Sequence, residues 1–403
     1  MIELLSPAGD FEKLKFAINY GADAVYLGGK NFGLRANAKN FDSDDFLCAL
    51  DYAHEHGVRV YVTVNIFAYN QDIDELKDFL FNIKGADAVL VADPGVFVTV
   101  KETLPDMDIH ISTQANVTNY KSAEFWSKLG AKRIVLAREL SLDQIKEICE
   151  SLPDVEFETF VHGAMCVSYS GRCLLSNYLT GRSSNHGDCA QPCRWRYNLV
   201  EENRPREFLP VFENQDGTFI LNSKDLCMIE HLDKLIECGV KSFKIEGRMK
   251  SIYYVAGCTK VYREAIDDYY RDRKDYEAKK SYYIDELNKV SHRRYSTGFY
   301  FGQQSNEIYD TASYSQTYDF LGIVLDFDEK NNIATVEQRN KISVGDRVEI
   351  LSPKKNFCFD ISKMWDINGD KINSAPHAQQ IIKIKSPYRI YRFDILRRKQ
   401  KQV

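Results

Sequence analysis

Short apolar runs alternate with amphipathic stretches from the start of the chain to about residue 265. The stretches between the runs repeat apolar residues at the spacing of one helix face, and several end at a Gly directly before the next run. This alternation is typical of parallel β–α units. The runs that we predict to be strands are 2–7, 24–29, 58–65, 88–93, 108–114, 133–139, 155–163 and 242–248.

Eight such units predict an α/β fold, a (β/α)8 barrel of the TIM type, over residues 1–270. An open doubly wound sheet is the alternative, but no glycine-rich dinucleotide fingerprint follows a predicted strand. A cysteine-rich insertion, 164–240, separates strands seven and eight. Because it begins directly after strand seven, we expect it at the C-terminal face of the barrel, where active sites of this fold lie.

The pattern changes after the eighth unit. A charged, Tyr-rich stretch, 271–314, predicts a helical linker. From 315 to 403, apolar and polar residues alternate with a period of two between turn formers, which predicts a small β-barrel domain. The length of 403 residues fits one barrel with such an appendage.

Charge and composition limit which cellular compartment and which kinds of binding partner the sequence predicts. The net charge of −5 gives no overall attraction to nucleic acid, so RNA binding would need local basic runs such as 194–196, 292–294 and 397–399. The chain shows no signal-peptide pattern and no apolar run of about 18 residues, so we predict a cytoplasmic protein without a membrane segment. In a reducing compartment, ten cysteines argue against a disulfide framework.

Four of those cysteines crowd into the insertion with the spacing C-x6-C-x15-C-x3-C, and they are Cys166, Cys173, Cys189 and Cys193. Thiolates are the ligands that iron–sulfur and zinc centres select. A structural zinc site usually uses closely spaced pairs, and only Cys189 and Cys193 approach that spacing. We therefore predict an iron–sulfur cluster, with zinc and unliganded thiols as alternatives. Cys227 is a possible replacement for Cys193.

Polar side chains follow the C-terminal ends of the predicted strands. The predicted substrate-binding residues are Lys30, Arg35, Asn65, Gln114, Arg248 and Lys250. The catalytic candidates are Arg138, Glu158, His162 and Glu246. Together they predict a barrel mouth rich in cations and amides, which suits a small anionic molecule. Arg35, Arg138 and Arg248 are the predicted carboxylate clamps, because a guanidinium binds a carboxylate through two bonds.

His162 with Cys166 and Glu158 also allows a hydrolytic interpretation, in which a Cys/His pair is oriented by a carboxylate. Close neighbours along a strand seldom form such a pair, because successive side chains point to opposite faces. The sequence also lacks the H-E-x-x-H motif of many metallopeptidases. These observations weigh against a peptidase without removing it.

The run ETFVHGAMC (158–166), followed by GRCLLS (171–176), resembles the signature of the collagenase-like peptidase family U32. The N-terminal run LLSPAGDFEKLKFAINYGADAVYLGG and the later runs NSKDL and VKSFKIEGRMKS are similar to the same family. Within it, the chain is most similar to members that hydroxylate tRNA. That resemblance implies formation of 5-hydroxyuridine at the anticodon wobble position, with prephenate as co-substrate and a 4Fe-4S cluster on the four cysteines. A metal- or cysteine-dependent peptidase is the alternative that the family name implies.

Overall fold

The computed structural model describes residues 1–30, 32–34, 38–166, 168–195, 199–201, 204–209, 224–302 and 315–400. In its first 302 residues the strands are β1 (Glu3–Pro7), β2 (Ala24–Gly28), β3 (Arg59–Val64), β4 (Ala88–Val91), β5 (Asp108–Ile111), β6 (Arg133–Val135), β7 (Glu156–Ala164), β8 (Leu199–Glu201), β9 (Arg204–Leu209), β10 (Asp225–Cys227), β11 (Ser242–Ile245) and β12 (Tyr295–Ser296). The helices are α1 (Phe11–Asn19), α2 (Ser43–Glu55), α3 (Asn70–Asn82), α4 (Pro94–Thr103), α5 (Tyr120–Lys128), α6 (Leu142–Ser151), α7 (Leu175–Thr180), α8 (Leu232–Glu237), α9 (Ile252–Arg271), α10 (Arg273–Ala278) and α11 (Lys280–Leu287).

Eight parallel strands close into a barrel, as the sequence predicts. Strands β1 to β7 pair in chain order, and β11 pairs in parallel with both β7 and β1. Buried Val, Ile, Leu and Ala fill the strands, because parallel strands covered by helices have two buried faces. Local signals set the helix starts: the Asp93 side chain accepts from two backbone N–H groups of α4, and Pro94 occupies the first turn.

The insertion between β7 and β11 is built from short pieces. Helix α7 and several 3-10 turns alternate with irregular segments that carry Cys166, Cys173 and Cys189, while Cys193 lies in a 3-10 turn. Strand β8 pairs with β9 as a hairpin. Strand β10 then pairs antiparallel with the end of β7 and parallel with β12. Residues 210–223, also predicted to belong to this insertion, lie outside the described residues.

The stretch predicted as a charged linker contributes to the main hydrophobic core. Tyr276 of α10 and both Tyr283 and Leu287 of α11 are fully buried. The hydroxyl of Tyr276 donates to the carbonyl of Ile229 at 2.8 Å, which ties α10 to the segment before α8. These buried side chains pack α10 and α11 against the barrel as a further layer.

The C-terminal region is an antiparallel β domain. Its strands are β13 (Tyr318–Asp328), β14 (Ile333–Gln338), β15 (Ile342–Ser343), β16 (Arg347–Leu351), β17 (Phe357–Asp360), β18 (Met364–Asp366), β19 (Ser374–Ala375), β20 (Ile381–Lys385) and β21 (Ile395–Lys399). Seven of them form one sheet in the order β17-β16-β21-β13-β14-β20-β18, and β15 pairs with β19. A separate buried cluster that includes Leu321, Val336 and Ile382 forms the domain's own core.

The β domain packs on α1 and α11 of the barrel. The ring of Phe393 meets that of Phe16 edge-on at 5.5 Å, and the hydroxyl of Tyr20 donates to the carbonyl of Leu351 at 2.8 Å. Arg397 is fully buried and binds Glu286 of α11 at 2.6 Å and Glu349 of β16 at 2.5 Å. The two parts of the chain are therefore joined by a buried apolar and ionic interface.

The structure corrects part of one expectation. The basic runs at 292–294 and 397–399 are predicted RNA contacts, but His292, Arg293 and Arg397 are buried and cannot present charge to a phosphate backbone. Arg294 and Lys399 of the same runs are exposed. In the run at 194–196, Trp195 is 45% exposed, whereas Arg196 lies outside the described residues. Among the helices that the structure describes, none has both the length and the apolar character needed to cross a bilayer.

Candidate active site at the barrel mouth

A small cavity of about 60 Å³ lies at the carboxyl ends of the barrel strands. It is lined by Tyr26, Leu34, Thr63, Asn65, Leu90, Ser112, Thr113, Gln114, Arg138, Phe160, Lys244, Glu246 and Arg248. We call it the mouth cavity. Three of its lining side chains are cations and one is a carboxylate, so its walls favour a negatively charged ligand.

The eighth barrel strand and the segment directly after it supply three of the charged groups. Lys244 lies in β11, whereas Glu246 and Arg248 follow the end of the strand. Arg248 is almost fully buried and donates to Thr63 Oγ1 at 2.9 Å and to Asn40 Oδ1. Its guanidinium passes directly over Gly28, where a Cβ atom would lie 2.5 Å from Arg248 Nη2. A side chain at position 28 would therefore displace Arg248.

Arg138 follows β6 and is held on three sides. Its Nη1 donates to the carbonyl of Ala164 at 3.0 Å, and its Nη2 lies 3.5 Å from the Glu246 carboxylate. The guanidinium also stacks over the ring of Phe160 at 3.8 Å. These contacts fix the plane of the guanidinium fork beside the cavity, which is the geometry that two-bond carboxylate recognition needs.

Two amides complete the wall. Asn65 Nδ2 donates to Gln114 Oε1 at 3.0 Å and to Ser112 Oγ at 3.2 Å, while Asn65 Oδ1 accepts from the backbone N–H of Leu34 at 3.3 Å. The carbonyl of Gln114 accepts from Arg172 Nε at 3.0 Å, and Arg172 belongs to the cysteine insertion. The amide pair thus connects the barrel strands to the insertion.

Beneath the mouth cavity lies a buried charge network. Glu158 accepts from Lys244 Nζ at 2.9 Å and from Ser242 Oγ at 3.0 Å, and it lies 3.3 Å from Arg133. Arg133 also pairs with Glu3. Burial acts to raise the pKa of Glu158, but Lys244 and Arg133 outweigh burial and hold that pKa at about 2. Glu158 is therefore ionised and committed to internal partners.

A second cavity, of about 100 Å³, adjoins the first. Its walls include Cys166, Cys173, Cys189 and Cys193, and we call it the cysteine cavity. Leu34, Thr113, Gln114 and Arg138 line both cavities. Within the described residues, no three His, Cys, Asp or Glu side chains are arranged to hold a single metal ion. The four clustered cysteines line one cavity.

Short turns present the thiols. The Sγ atoms of Cys173 and Cys189 each accept, at 3.4 Å, from the backbone N–H two residues further on. Between Cys166 and Cys173, Ser170 adopts a left-handed conformation with φ of 42°. Glu139 holds that turn, because its carboxylate accepts from Ser170 N at 2.5 Å and from Ser170 Oγ at 2.6 Å. Gly171 follows with φ of 87°, and a Cβ there would lie 3.3 Å from Gln114 Nε2.

The structure brings together nine of the predicted site residues. They are Asn65, Gln114, Arg138, Glu246 and Arg248 around the mouth cavity and Cys166, Cys173, Cys189 and Cys193 around the cysteine cavity. Lys30 lies elsewhere, with a 65% exposed side chain 3.5 Å from Asp42. Lys250 is not among the residues that line the two cavities, and its Nζ lies 5.2 Å from the centroid of the Tyr254 ring. Arg35 lies outside the described residues.

His162 is also placed away from both cavities. It is buried 5.4 Å from the ring centroids of Tyr262 and Tyr295, and burial lowers its pKa to about 3. Phe160 faces the mouth cavity, and simple alternation would put His162 on the same side. The register with β11 shifts between Phe160 and His162, so the extra residue of a bulge turns His162 outward.

Cys227 is placed near His162 and not near the clustered thiols. It pairs opposite His162 on β10, its Sγ lies 3.9 Å from the Tyr262 hydroxyl, and burial raises its pKa to about 12. Cys193 lines the cysteine cavity and Cys227 does not, so the structure places Cys193, and not Cys227, beside the other three clustered cysteines.

Sequence reasoning missed Lys244, and it placed Glu139 at the end of strand six without assigning it a role. Lys244 lies in the middle of a predicted strand and not at its end, so a search of strand ends passes over it. The signal was the K-x-E-x-R spacing of 244–248, which predicts three charged side chains on one face of a buried strand. No sequence pattern marks Glu139 as the partner of Ser170, since 31 residues separate them.

Comparison with known proteins gives two family matches. Residues 9–310 match the model of "Peptidase family U32", and residues 316–397 match that of its C-terminal domain. The tRNA hydroxylation protein P1 of Bacillus subtilis is 42% identical over 98% of this chain and 94% of its own length. An uncharacterized protease of Methanocaldococcus jannaschii is also 42% identical, over 94% of each chain. Among solved structures, the U32 peptidase Mk0906 is 18% identical with a TM-score of 0.41, covering 61% of this chain and 93% of its own.

Proposed function

Because the chain belongs to peptidase family U32, we propose that it is an RNA hydroxylase that forms 5-hydroxyuridine at the wobble position of tRNA. The observation that carries this proposal is the shared wall between the two cavities. One cavity presents four thiols, the other presents three cations, and Gln114 and Arg138 face both. A redox group and an anionic co-substrate held there would be neighbours. The B. subtilis relative named as a tRNA hydroxylation protein supports the choice of substrate.

The four thiols fit an iron–sulfur cluster better than a zinc ion. A zinc ion needs its four ligands within about 2.3 Å of a single point. In a 4Fe-4S cluster each thiolate binds a different iron, so the ligands surround a volume, and four cysteines that line one cavity suit that arrangement. The N–H groups directed at Cys173 and Cys189 Sγ are contacts that tune such clusters. When bound, the cluster would supply one-electron redox chemistry.

The mouth cavity fits a small anion with more than one acidic group. Lys244, Arg138 and Arg248 line it against the single carboxylate of Glu246. Prephenate, which carries two carboxylates and a ketone, is the co-substrate that the family resemblance implies. The guanidinium of Arg138, fixed by Phe160 and Ala164, would orient one carboxylate by paired hydrogen bonds.

The target base would have to leave its stack to reach such a site, and anticodon loops present unstacked bases at low cost. We propose that the β domain binds the body of the RNA. Its exposed surface carries a basic and aromatic patch in which Tyr391 is flanked by Lys354 at 3.9 Å and Arg389 at 5.0 Å. Tyr388, which is 53% exposed, and the exposed Arg392 belong to the same patch. Cations beside aromatic rings are typical of single-stranded RNA contacts.

The peptidase alternative finds no support in the residues predicted for it. His162 is buried among tyrosines outside both cavities, whereas Cys166 lines the cysteine cavity. Glu158 is bound to Lys244 and Arg133, so it does not orient His162. A nucleophile and its base need hydrogen-bond contact, and this trio does not provide it.

The test is reconstitution with protein purified without oxygen. We expect iron and sulfide in the preparation and visible absorbance that fades in air. With unmodified tRNA and prephenate, nucleoside mass spectrometry should detect 5-hydroxyuridine, and omission of prephenate should abolish it. The proposal would be overturned by stoichiometric zinc without iron. It would also be overturned if the iron-loaded protein left tRNA unmodified in the presence of prephenate.

A further inference from the structure

Lys244 is a buried amine in the wall of the mouth cavity. Its side chain is 4% exposed, and among the described lining residues it is the one lysine. The Nζ atom lies 4.7 Å from the centroid of the Tyr26 ring and 5.4 Å from that of Phe160. Burial keeps water away from the amine, which eases the loss of its proton, whereas the two ring faces stabilise it while it is charged.

The charge partner of Lys244 does not depend on Lys244 alone. Glu158 also binds Arg133 and the Ser242 hydroxyl, so its charge stays compensated when Lys244 releases a proton. Burial lowers the pKa of Lys244, although Glu158 opposes that shift. A lysine that is desolvated yet adjacent to a carboxylate is suited to forming a cationic imine, because the carboxylate stabilises the product as it does the ammonium.

The same cavity holds groups that bind carboxylates. Arg138 and Arg248 line it together with Lys244, and each guanidinium is fixed by neighbouring contacts. A ligand with a carboxylate next to a carbonyl carbon could therefore be held by an arginine while its carbonyl faces the amine. This combination of groups selects 2-oxo acids over simple carboxylates.

We propose that Lys244 binds a 2-oxo acid covalently, as an iminium between its Nζ and the ketone carbon. This inference rests on the proposed function in one respect, which is that the 2-oxo acid is taken to be the small anionic co-substrate. The Nζ–C bond forms as the carbonyl C=O bond breaks, and the oxygen leaves as water. The ammonium has three protons, of which two leave in the water and one stays on the iminium nitrogen. Charge is unchanged and no oxidant is consumed.

The iminium would anchor the co-substrate at a defined distance from the cysteine cavity. Because the positive charge persists, Glu158 keeps its partner throughout the cycle. The role is one of binding and activation, since an iminium draws electrons from the adjacent carbon atoms more strongly than a ketone does.

Reductive trapping tests the inference without tRNA. The full-length protein is incubated with pyruvate and sodium cyanoborohydride, and intact and peptide mass spectrometry follow the adduct. We expect one reduced adduct on Lys244. Acetone, which has the ketone but no carboxylate, should give little adduct at the same concentration. Arg138→Lys should lower the yield with pyruvate.

Two variants serve as matched controls. Lys244→Arg keeps the charge opposite Glu158 but cannot form the imine, so the adduct should be lost while thermal unfolding stays close to that of the wild type. Lys241→Met removes an exposed lysine three positions earlier and should leave the adduct intact. An adduct that survives in Lys244→Arg, or wild-type protein that gives none, overturns the inference. Adduct formation without tRNA hydroxylation would instead overturn the proposed function alone.

Discussion

The two halves of the site are built in opposite ways. The charge network of Glu158, Lys244 and Arg133 stands on barrel strands, is almost fully buried and is joined by contacts of 2.9 to 3.3 Å. The cysteine cavity stands on 3-10 turns and one six-residue helix. There, a left-handed Ser170 held by Glu139 sets the path between two of the thiols.

This contrast separates stability from cofactor binding. Strands fix the charged groups because every backbone group of a barrel strand is paired and both faces are packed. A group bound by the four thiols would add to the hydrogen bonds that hold these turns. We therefore expect substitutions in the network to alter folding and substitutions at the thiols to alter cluster content.

The largest effect is expected for Cys173→Ala. Loss of a ligand should remove most of the iron and lower hydroxylation by more than the roughly 10–100-fold that outer contacts of a metal site contribute. Thermal unfolding of the barrel should change little. Iron and sulfide assays under anaerobic conditions measure the first effect, and Cys358→Ala, at an exposed position in the β domain, is the control. Full iron content in Cys173→Ala would show that Cys173 is not a ligand of the cluster.

The opposite behaviour is expected for Glu158→Gln. The change leaves the buried Lys244 without its carboxylate partner, while Arg133 keeps Glu3 and Glu156. Breaking a buried ion pair in this way costs about 3–5 kcal/mol. Urea unfolding should show this loss. Glu124→Gln is the control, because Glu124 pairs with Lys121 and Lys128 on the surface, where such pairs contribute little. Equal free energies of unfolding for the two variants would mean that the buried network does not stabilise the barrel.

Acid should weaken the network in a defined window. The pKa of Glu158 is about 2 in the fold against an ordinary value of 4.5. Its ionised form stabilises the fold fully above about pH 4.5, and that stabilisation is lost as the pH falls toward about 2. Unfolding free energies measured across this range should fall less steeply in Glu158→Gln than in the wild type. Identical slopes would contradict the assignment.

Arg138→Lys should give an intermediate effect, because Arg138 faces both cavities. The charge remains but the planar fork and the stacking on Phe160 are lost. A lost charge-assisted hydrogen bond is worth about 1.5–3 kcal/mol, or roughly tenfold to a hundredfold in kcat/KM for the co-substrate. Steady-state kinetics with varied prephenate would measure it. An unchanged iron content would show that the arginine serves the mouth cavity and not the cluster.

The smallest effect is expected on the β domain. Lys354→Ala and Arg392→Ala should each weaken tRNA binding a few-fold and lower the salt slope of binding by about one. Binding titrations at several salt concentrations measure both quantities. Lys371→Ala, at an exposed position that bridges Trp365 in the same domain, is the control. Equal loss in all three variants would indicate a diffuse electrostatic effect and no docking patch.

The sequence predicts the barrel well because its signals are local. A few consecutive residues are enough to predict each strand and helix, and the glycines and capping residues at the helix ends predict the boundaries. The four clustered cysteines are predicted for the same reason, since their spacing is visible along the chain. Asn65, Gln114, Arg138, Glu246 and Arg248 follow from the rule that barrel sites lie at strand ends.

The errors arise where a side chain's direction depends on a distant strand. A one-residue bulge against β11 turns His162 away from the mouth, and nothing within 155–163 signals it. The run at 397–399 reads as a basic tail, but Arg397 lies on an inner strand and meets Glu286 of another element 111 residues away. Contacts of this kind become visible only when the chain is folded.

The buried pairing of Arg397 with Glu286 bears on how such chains can be shortened during evolution. Removing the β domain would leave the Glu286 carboxylate of α11 without its guanidinium and would uncover Phe16 and Tyr20 of the barrel. A descendant that discards the domain should therefore replace these three positions together. We expect shorter members of the lineage to carry a neutral residue at position 286 and polar residues at 16 and 20. The barrel sequence alone would then indicate that the β domain has been lost.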